Sequence, residues 1–130
     1  MPETKNTKFK LDRIGQISIP VRDLERSILF YRDELGMNFL FQAPPGLAFF
    51  DCGGVRLMLD VPAGTQSEAR SSIIYYKVDD LPLAVEILKA RGVSFEQEPE
   101  LVASMPDHEL WMAFLKDPDE NMIGLMWEKR

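Results

Sequence analysis

Apolar residues alternate with polar or small ones through Ile14-Gly15-Gln16-Ile17-Ser18-Ile19-Pro20-Val21, and the alternation stops at Arg22-Asp23. A period of two predicts a strand with Ile17, Ile19 and Val21 on one face and Gln16, Ser18 and Pro20 on the other. From Leu24 the period changes: Leu24, Ile28, Tyr31 and Leu35 fall at i, i+4, i+7 and i+11, one face of a helix. Asp23 stands where an N-cap carboxylate accepts free backbone N–H groups, and Gly36 suits the left-handed residue that ends a helix. Three β-prone runs follow, Met37–Gln42, Leu47–Cys52 and Val55–Val61, broken by Ala43-Pro44-Pro45-Gly46 and by Gly53-Gly54.

The outline then repeats. Val21 falls on Val78, Asp23 on Asp80 and Leu24 on Leu81, an offset of 57 residues; beyond the helices Gly36 falls on Gly92 and Phe39 on Phe95, an offset of 56. Leu81, Val85 and Leu88 form the second helical stripe, which Ala84 and Ile87 widen, and Pro82 is tolerable in the first turn. The runs Val93–Ala103, Glu109–Lys116 and Met122–Glu128 complete the second half, with Asp117-Pro118-Asp119-Glu120-Asn121 as a tight turn. The expected order is strand, helix and three strands, twice: an α+β class in which each helix covers one face of its sheet. Leu110, Met112 and Phe114 alternate with Trp111, Ala113 and Leu115, so both faces of that strand are apolar. A sheet of this kind lines a hollow or packs on its twin. Residues 1–11 read as a tail, 12–62 and 71–130 as the two modules of one domain, and Pro62–Ser71 as the linker.

Composition narrows the function classes. A net charge of −6 argues against a nucleic-acid partner, whose binders carry basic stripes. No segment approaches the ~20 apolar residues of a membrane span, and the polar N-terminus lacks the apolar core of a signal peptide. Cys52 is the single cysteine, so no internal disulfide forms and a reducing cytoplasm is the expected location. No nucleophile constellation or phosphate-loop spacing is present.

The stretches VRDLERSILFYRDELGM (Val21–Met37), VDDLPLAVEILKARGV (Val78–Val93) and FLKDPDENMIGLMWE (Phe114–Glu128) resemble the vicinal oxygen chelate superfamily. That group includes glyoxalase I, methylmalonyl-CoA epimerase, extradiol dioxygenases, and bleomycin and fosfomycin resistance proteins. The resemblance runs from Ile14 to Lys129 and implies two βαβββ modules whose curved mixed sheets form a cup. It departs at Glu120, where the family usually has Gly. In metal-dependent members the first and fourth strand of each module aim one ligand each into the cup. Those positions fall on Gln16, Met58, Ile73 and Gly124, the last standing where the family writes Glu.

A catalytic divalent metal needs about three imidazole, carboxylate or thiolate ligands. Ile73 and Gly124 offer no donor, Met58 a thioether and Gln16 a neutral amide, so no metal or other cofactor is expected. The alternative is a Zn, Ni, Mn or Fe site with ligands elsewhere. Strand parity gives the cup another lining: Gln16, Ser18, Arg56, Met58, Ile73, Tyr75, Lys77, Met122, Gly124, Met126 and Glu128. An apolar surface with a few polar anchors suits a small organic molecule. The bland alternatives are Gln16 bonded to neighbouring backbone, the methionines as plain core, and Glu128 with Arg56 as a surface ion pair. Glu128 and His108 are the candidate proton acceptors of a metal-free enzyme. His108 also reads as a loop residue, and strand parity sets Asp107 and Glu109 apart from it. Glu96, Glu98 and Glu100 read as a solvated strand face.

The expected function is therefore binding of a small organic molecule without the usual metal. The alternatives are a metal-dependent lyase, epimerase or dioxygenase, or sequestration of a toxic or antibiotic compound. By resemblance, the partner chain is a second copy in a homodimer.

Overall fold

Each alternating run becomes a strand and each 3.6-period run a helix in the computed structural model, which describes residues 12–61 and 72–130. The expected tail and linker lie outside the described residues. The first module comprises β1 (Gln16–Pro20), α1 (Leu24–Leu29), β2 (Asn38–Ala43), β3 (Leu47–Cys52) and β4 (Val55–Asp60). The second comprises β5 (Ile74–Lys77), α2 (Leu81–Ala90), β6 (Phe95–Ser104), β7 (Glu109–Lys116) and β8 (Met122–Lys129). The sheet orders are β1-β4-β3-β2 and β5-β8-β7-β6, with β1 parallel to β4, β5 parallel to β8 and the other neighbours antiparallel. This is the α+β, twice-βαβββ arrangement that the sequence predicts.

The caps form as their chemistry requires. Asp23 accepts from the Arg26 N–H at 3.2 Å and Asp80 from the Leu83 N–H at 3.1 Å. Gly36 and Gly92 hold φ of +73° and +91° after their helices. Two expectations need correction. The first helix is α-helical only to Leu29; Phe30–Glu34 is a π-helical turn closed by Leu35 N–H donating to the Phe30 carbonyl. The wider turn lets adjacent Phe30 and Tyr31 both be buried, which a strict 3.6 period does not anticipate. In α2, Ile87 is exposed, so the buried stripe is Leu81, Val85 and Leu88 alone.

The faces sort by parity. Ile19, Ala48, Phe50, Leu57 and Leu59 meet Ile28 and Tyr31; Ala113, Leu115, Ile123 and Leu125 meet Leu81, Val85 and Leu88. These groups form one continuous cluster across both modules, and their removal from water is the main stabilising term. Trp111 and Trp127 pair across β7 and β8 and are partly buried against it. The helix-free faces do not pack on one another: Phe41, Ile73 and Tyr75 keep nearly half their surface accessible.

The Asp117–Asn121 turn joins the modules. Asp117 is 4% exposed and accepts from Tyr31 Oη and from the Asp119 N–H, Asn121 N–H and Asn121 Nδ2, each at 2.8 Å. Asn121 Nδ2 also donates to the Pro20 carbonyl at the end of β1. Asp119 takes Arg22 Nε at 2.9 Å, Arg26 at 3.3 Å and Ser27 Oγ at 3.2 Å, so the turn holds the start of α1. Burial, with the Asp117 carboxylate beside it, raises the Tyr31 phenol far above its ordinary range, so Tyr31 stays a donor.

Glu120 carries φ of +67°, the left-handed region that glycine adopts without strain. Relief of the side-chain clash outweighs the extra chain entropy that glycine loses on folding. Glu120→Gly is therefore expected to stabilise the protein by about 0.5–1 kcal/mol in urea unfolding, with an unchanged denaturant slope.

Candidate functional site

Register fixes the composition of the helix-free faces. In the first module Ser18, Met58, Phe49 and Phe41 lie in one cross-strand row, and Gln16, Arg56 and Asp51 in the next. In the second, Tyr75, Gly124 and Phe114 share a row, Lys77 lies level with Met126 and Met112, Glu128 with Leu110, and Met122 with Lys116. Ile73 precedes β5 and is exposed. Ser18 pairs with Met58 as Tyr75 pairs with Gly124, so Met58 and Gly124 occupy equivalent places in the two modules.

The contacts give each half its own chemistry. The Arg56 guanidinium lies over the Phe49 ring at 5.4 Å and the Phe41 ring at 5.9 Å, and those rings pack on each other at 4.8 Å. Gln16 Nε2 points to Met58 Sδ at 3.7 Å rather than to backbone. In the second half the Tyr75 ring meets Phe114 edge-on at 5.8 Å and lies across Gly124. A Cβ on Gly124 would stand 2.6 Å from Tyr75 Cδ2, so the glycine seats the ring and leaves no vacant space. Among the described residues, no hydrogen bond, ion pair or ring contact joins the two sets.

The alternative in which Glu128 pairs with Arg56 gives way to another set of contacts. Glu128 Oε1 meets Arg130 at 3.0 Å and Lys77 at 3.7 Å; Arg130 reaches Asp107 at 2.8 Å, and Asp107 meets His108 Nδ1 at 2.8 Å. The two candidate proton acceptors thus end one chain of polar contacts. Parity misjudged Asp107 because residues 106–107 form a bend before β7, where adjacent side chains can meet; Glu109, inside the strand, turns to Trp111 Nε1. The Arg130 guanidinium and the His108 contact lower the Asp107 carboxyl from 3.8 to about 2. A folded value below the unfolded one means that this contribution is present above the unfolded value and is lost as pH falls through about 2. Arg130→Gln is expected to return the Asp107 titration, followed by carboxyl carbon-13 NMR, toward 3.8.

Sequence reasoning missed a second hollow, on the helix side. A cavity of about 270 Å3 lies among Leu35, Met37, Tyr76, Ile87, Leu88 and Arg91. The Tyr76 hydroxyl is buried and has no hydrogen-bond partner among the described residues, and burial raises its pKa. Arg91 bridges the modules by donating to the Glu34 carbonyl at 3.0 Å. The small side chain at Ala84 was the one available signal for this space.

Two mixed four-stranded sheets, each shielded by a helix on one face and open on the other, define a protein of two paired βαβββ modules. Residues 13–125 match the family model of the Glyoxalase/Bleomycin resistance protein/Dioxygenase superfamily, and the chain belongs to that family. It is 31% identical over 130 residues to a Vibrio cholerae serotype O1 protein described as a probable lactoylglutathione lyase, with 91% of this chain and 92% of that one covered. Among solved structures it resembles a glyoxalase/bleomycin resistance protein/dioxygenase from Alicyclobacillus acidocaldarius, with TM-score 0.71, 20% identity, and 90% and 92% of the two chains covered. It also resembles lactoylglutathione lyase from Agrobacterium tumefaciens, with TM-score 0.72, 19% identity, and 91% and 95% covered.

The metal that the resemblance implies does not fit the corresponding positions. Gln16 and Met58 supply a neutral amide and a thioether already in contact with each other, Ile73 supplies nothing, and Tyr75 covers Gly124. Among the described residues no three His, Cys, Asp or Glu side chains gather in a way that could hold an ion. Nor, among them, is any helix long and apolar enough to cross a membrane.

Proposed function

We propose that the open sheet faces bind a small organic molecule directly, without a resident divalent metal. The observation that carries this reading is the Tyr75 ring lying where a carboxylate ligand would have to project from position 124. Aromatic and methionine side chains supply apolar contact, and Gln16, Arg56, Lys77 and Glu128 supply polar anchors. Because no hydrogen bond, ion pair or ring contact joins the two sets among the described residues and Phe41, Ile73 and Tyr75 are accessible, a second copy completes the enclosure in a cytoplasmic homodimer. The experiment is a thermal-shift screen of metabolites, antibiotics and Zn, Ni, Mn and Fe ions, with elemental analysis and sedimentation of the purified protein. Organic ligands are expected to raise Tm by mass action, metal to stay well below one ion per chain, and sedimentation to give a dimer. A stabilising metal at one ion per chain would overturn the metal-free reading.

The likeness to the Vibrio protein favours a second reading, a metal-dependent lyase. It requires lactoylglutathione lyase activity that rises with added metal and falls on chelation. Recovery of a bound compound unchanged would place the protein among binders, and its conversion among enzymes.

A further inference from the structure

We infer that the first module's open face is built for a planar carboxylate, carried on an aromatic or apolar body. The inference rests on the small-molecule reading above and names the ligand class for that site.

Arg56 carries the argument. Its cross-strand partner is Asp51, a carboxylate on the same face, and side chains so placed commonly pair. They do not: among the described residues Arg56 has no carboxylate within ion-pair distance, and its guanidinium lies over Phe49 and Phe41 instead. Phe49 is 8% exposed and fixed in the sheet, so the platform is rigid. A guanidinium attracted by ring faces makes no hydrogen bond with them and keeps its N–H donors available. Those donors match the two oxygens of a carboxylate in a bidentate pair. Directly level on β1 stands Gln16, whose amide adds polar capacity beside the guanidinium. Phe41 remains 45% exposed, so apolar surface for the ligand's body adjoins the charged group. A positive group with no carboxylate partner among the described residues, backed by a buried ring and flanked by open aromatic surface, favours an anion, although the chain's net charge is −6. Selection must therefore come from the local geometry rather than from long-range attraction.

The test is proton–nitrogen NMR titration of the full chain with benzoate, phenylacetate and benzamide. Both acids are expected to shift amides of β1, β3 and β4, and to bind about tenfold or more tightly than the neutral amide. Arg56→Met, which keeps the apolar stem, should abolish the preference for the acids over benzamide. Arg56→Lys, which keeps the charge but loses the fork, should recover only part of the preference. A thermal melt of each variant separates loss of the site from loss of fold. Equal binding of benzoate and benzamide by the native chain, or acid preference that survives Arg56→Met, overturns the inference. If neutral compounds from the wider screen still bind the open faces, the small-molecule reading stands while this inference falls. If neither acids nor neutral compounds perturb those faces, both fall together.

Discussion

Asp117→Ala is expected to cost about 3–5 kcal/mol, the largest single loss in the protein, and to lower Tm by roughly 10–15 °C. The carboxylate is almost wholly buried and satisfies four donors around it: the Tyr31 hydroxyl, two turn N–H groups and the Asn121 side-chain amide. Alanine would strand these donors where water reaches them poorly, and buried donors without acceptors are costly. The damage also spreads, because the same turn positions Asp119 against Arg22, Arg26 and Ser27 and places Asn121 on the Pro20 carbonyl. Tyr31→Phe removes one bond and keeps the ring, so a loss of about 1–2 kcal/mol is expected. In the double variant Tyr31→Phe/Asp117→Ala the losses should fall short of additivity by about 1 kcal/mol or more, measured in a urea double-mutant cycle. Full additivity would mean that the Tyr31 contact contributes nothing to joining the modules.

That latch also marks how far the sequence could be read. Strands and helices follow from periods of two and 3.6, and β3 and β7 fall on the expected residues because turn signals bracket them. The repeat announced two modules because each half carries its own cap and helix-ending glycine. What escaped were features that no local period records. The π-helical turn at Phe30–Glu34 arises where adjacent aromatic residues are both buried. The Tyr31–Asp117 bond links residues 86 positions apart. Asp107 and His108 meet because a bend suspends strand parity. At the open faces, parity placed Arg56 and Gly124 on the correct side, but their neighbours were beyond it. Pairing geometry, not spacing, sets Arg56 on phenylalanine rings and fills the space over Gly124 with Tyr75.

Gly124→Glu is expected to destabilise the protein by about 2–4 kcal/mol without creating a metal site. Two costs combine. A Cβ at position 124 would stand 2.6 and 2.9 Å from Tyr75 ring carbons and 3.2 Å from Phe114 Cε1, so the Tyr75 ring must leave its seat and forfeit the edge contact with Phe114. The carboxylate would then emerge from a buried backbone position among aromatic and methionine side chains, partly removed from water, with Lys77 and Lys116 only in the adjacent rows. Gly124→Ala isolates the steric part, expected near 1–2 kcal/mol because Tyr75 is partly exposed and can swing outward. Tyr75→Ala combined with Gly124→Ala should recover most of that loss, giving a favourable coupling in the cycle. In Tyr75→Ala/Gly124→Glu the new carboxylate has room, yet its equivalent in the other module is Met58, whose thioether cannot join it in holding Zn, Ni, Mn or Fe. Calorimetry with each ion should therefore stay flat. Tight, saturable binding by that variant would show that one carboxylate suffices to restore a metal centre, and that Tyr75 alone keeps the ion out.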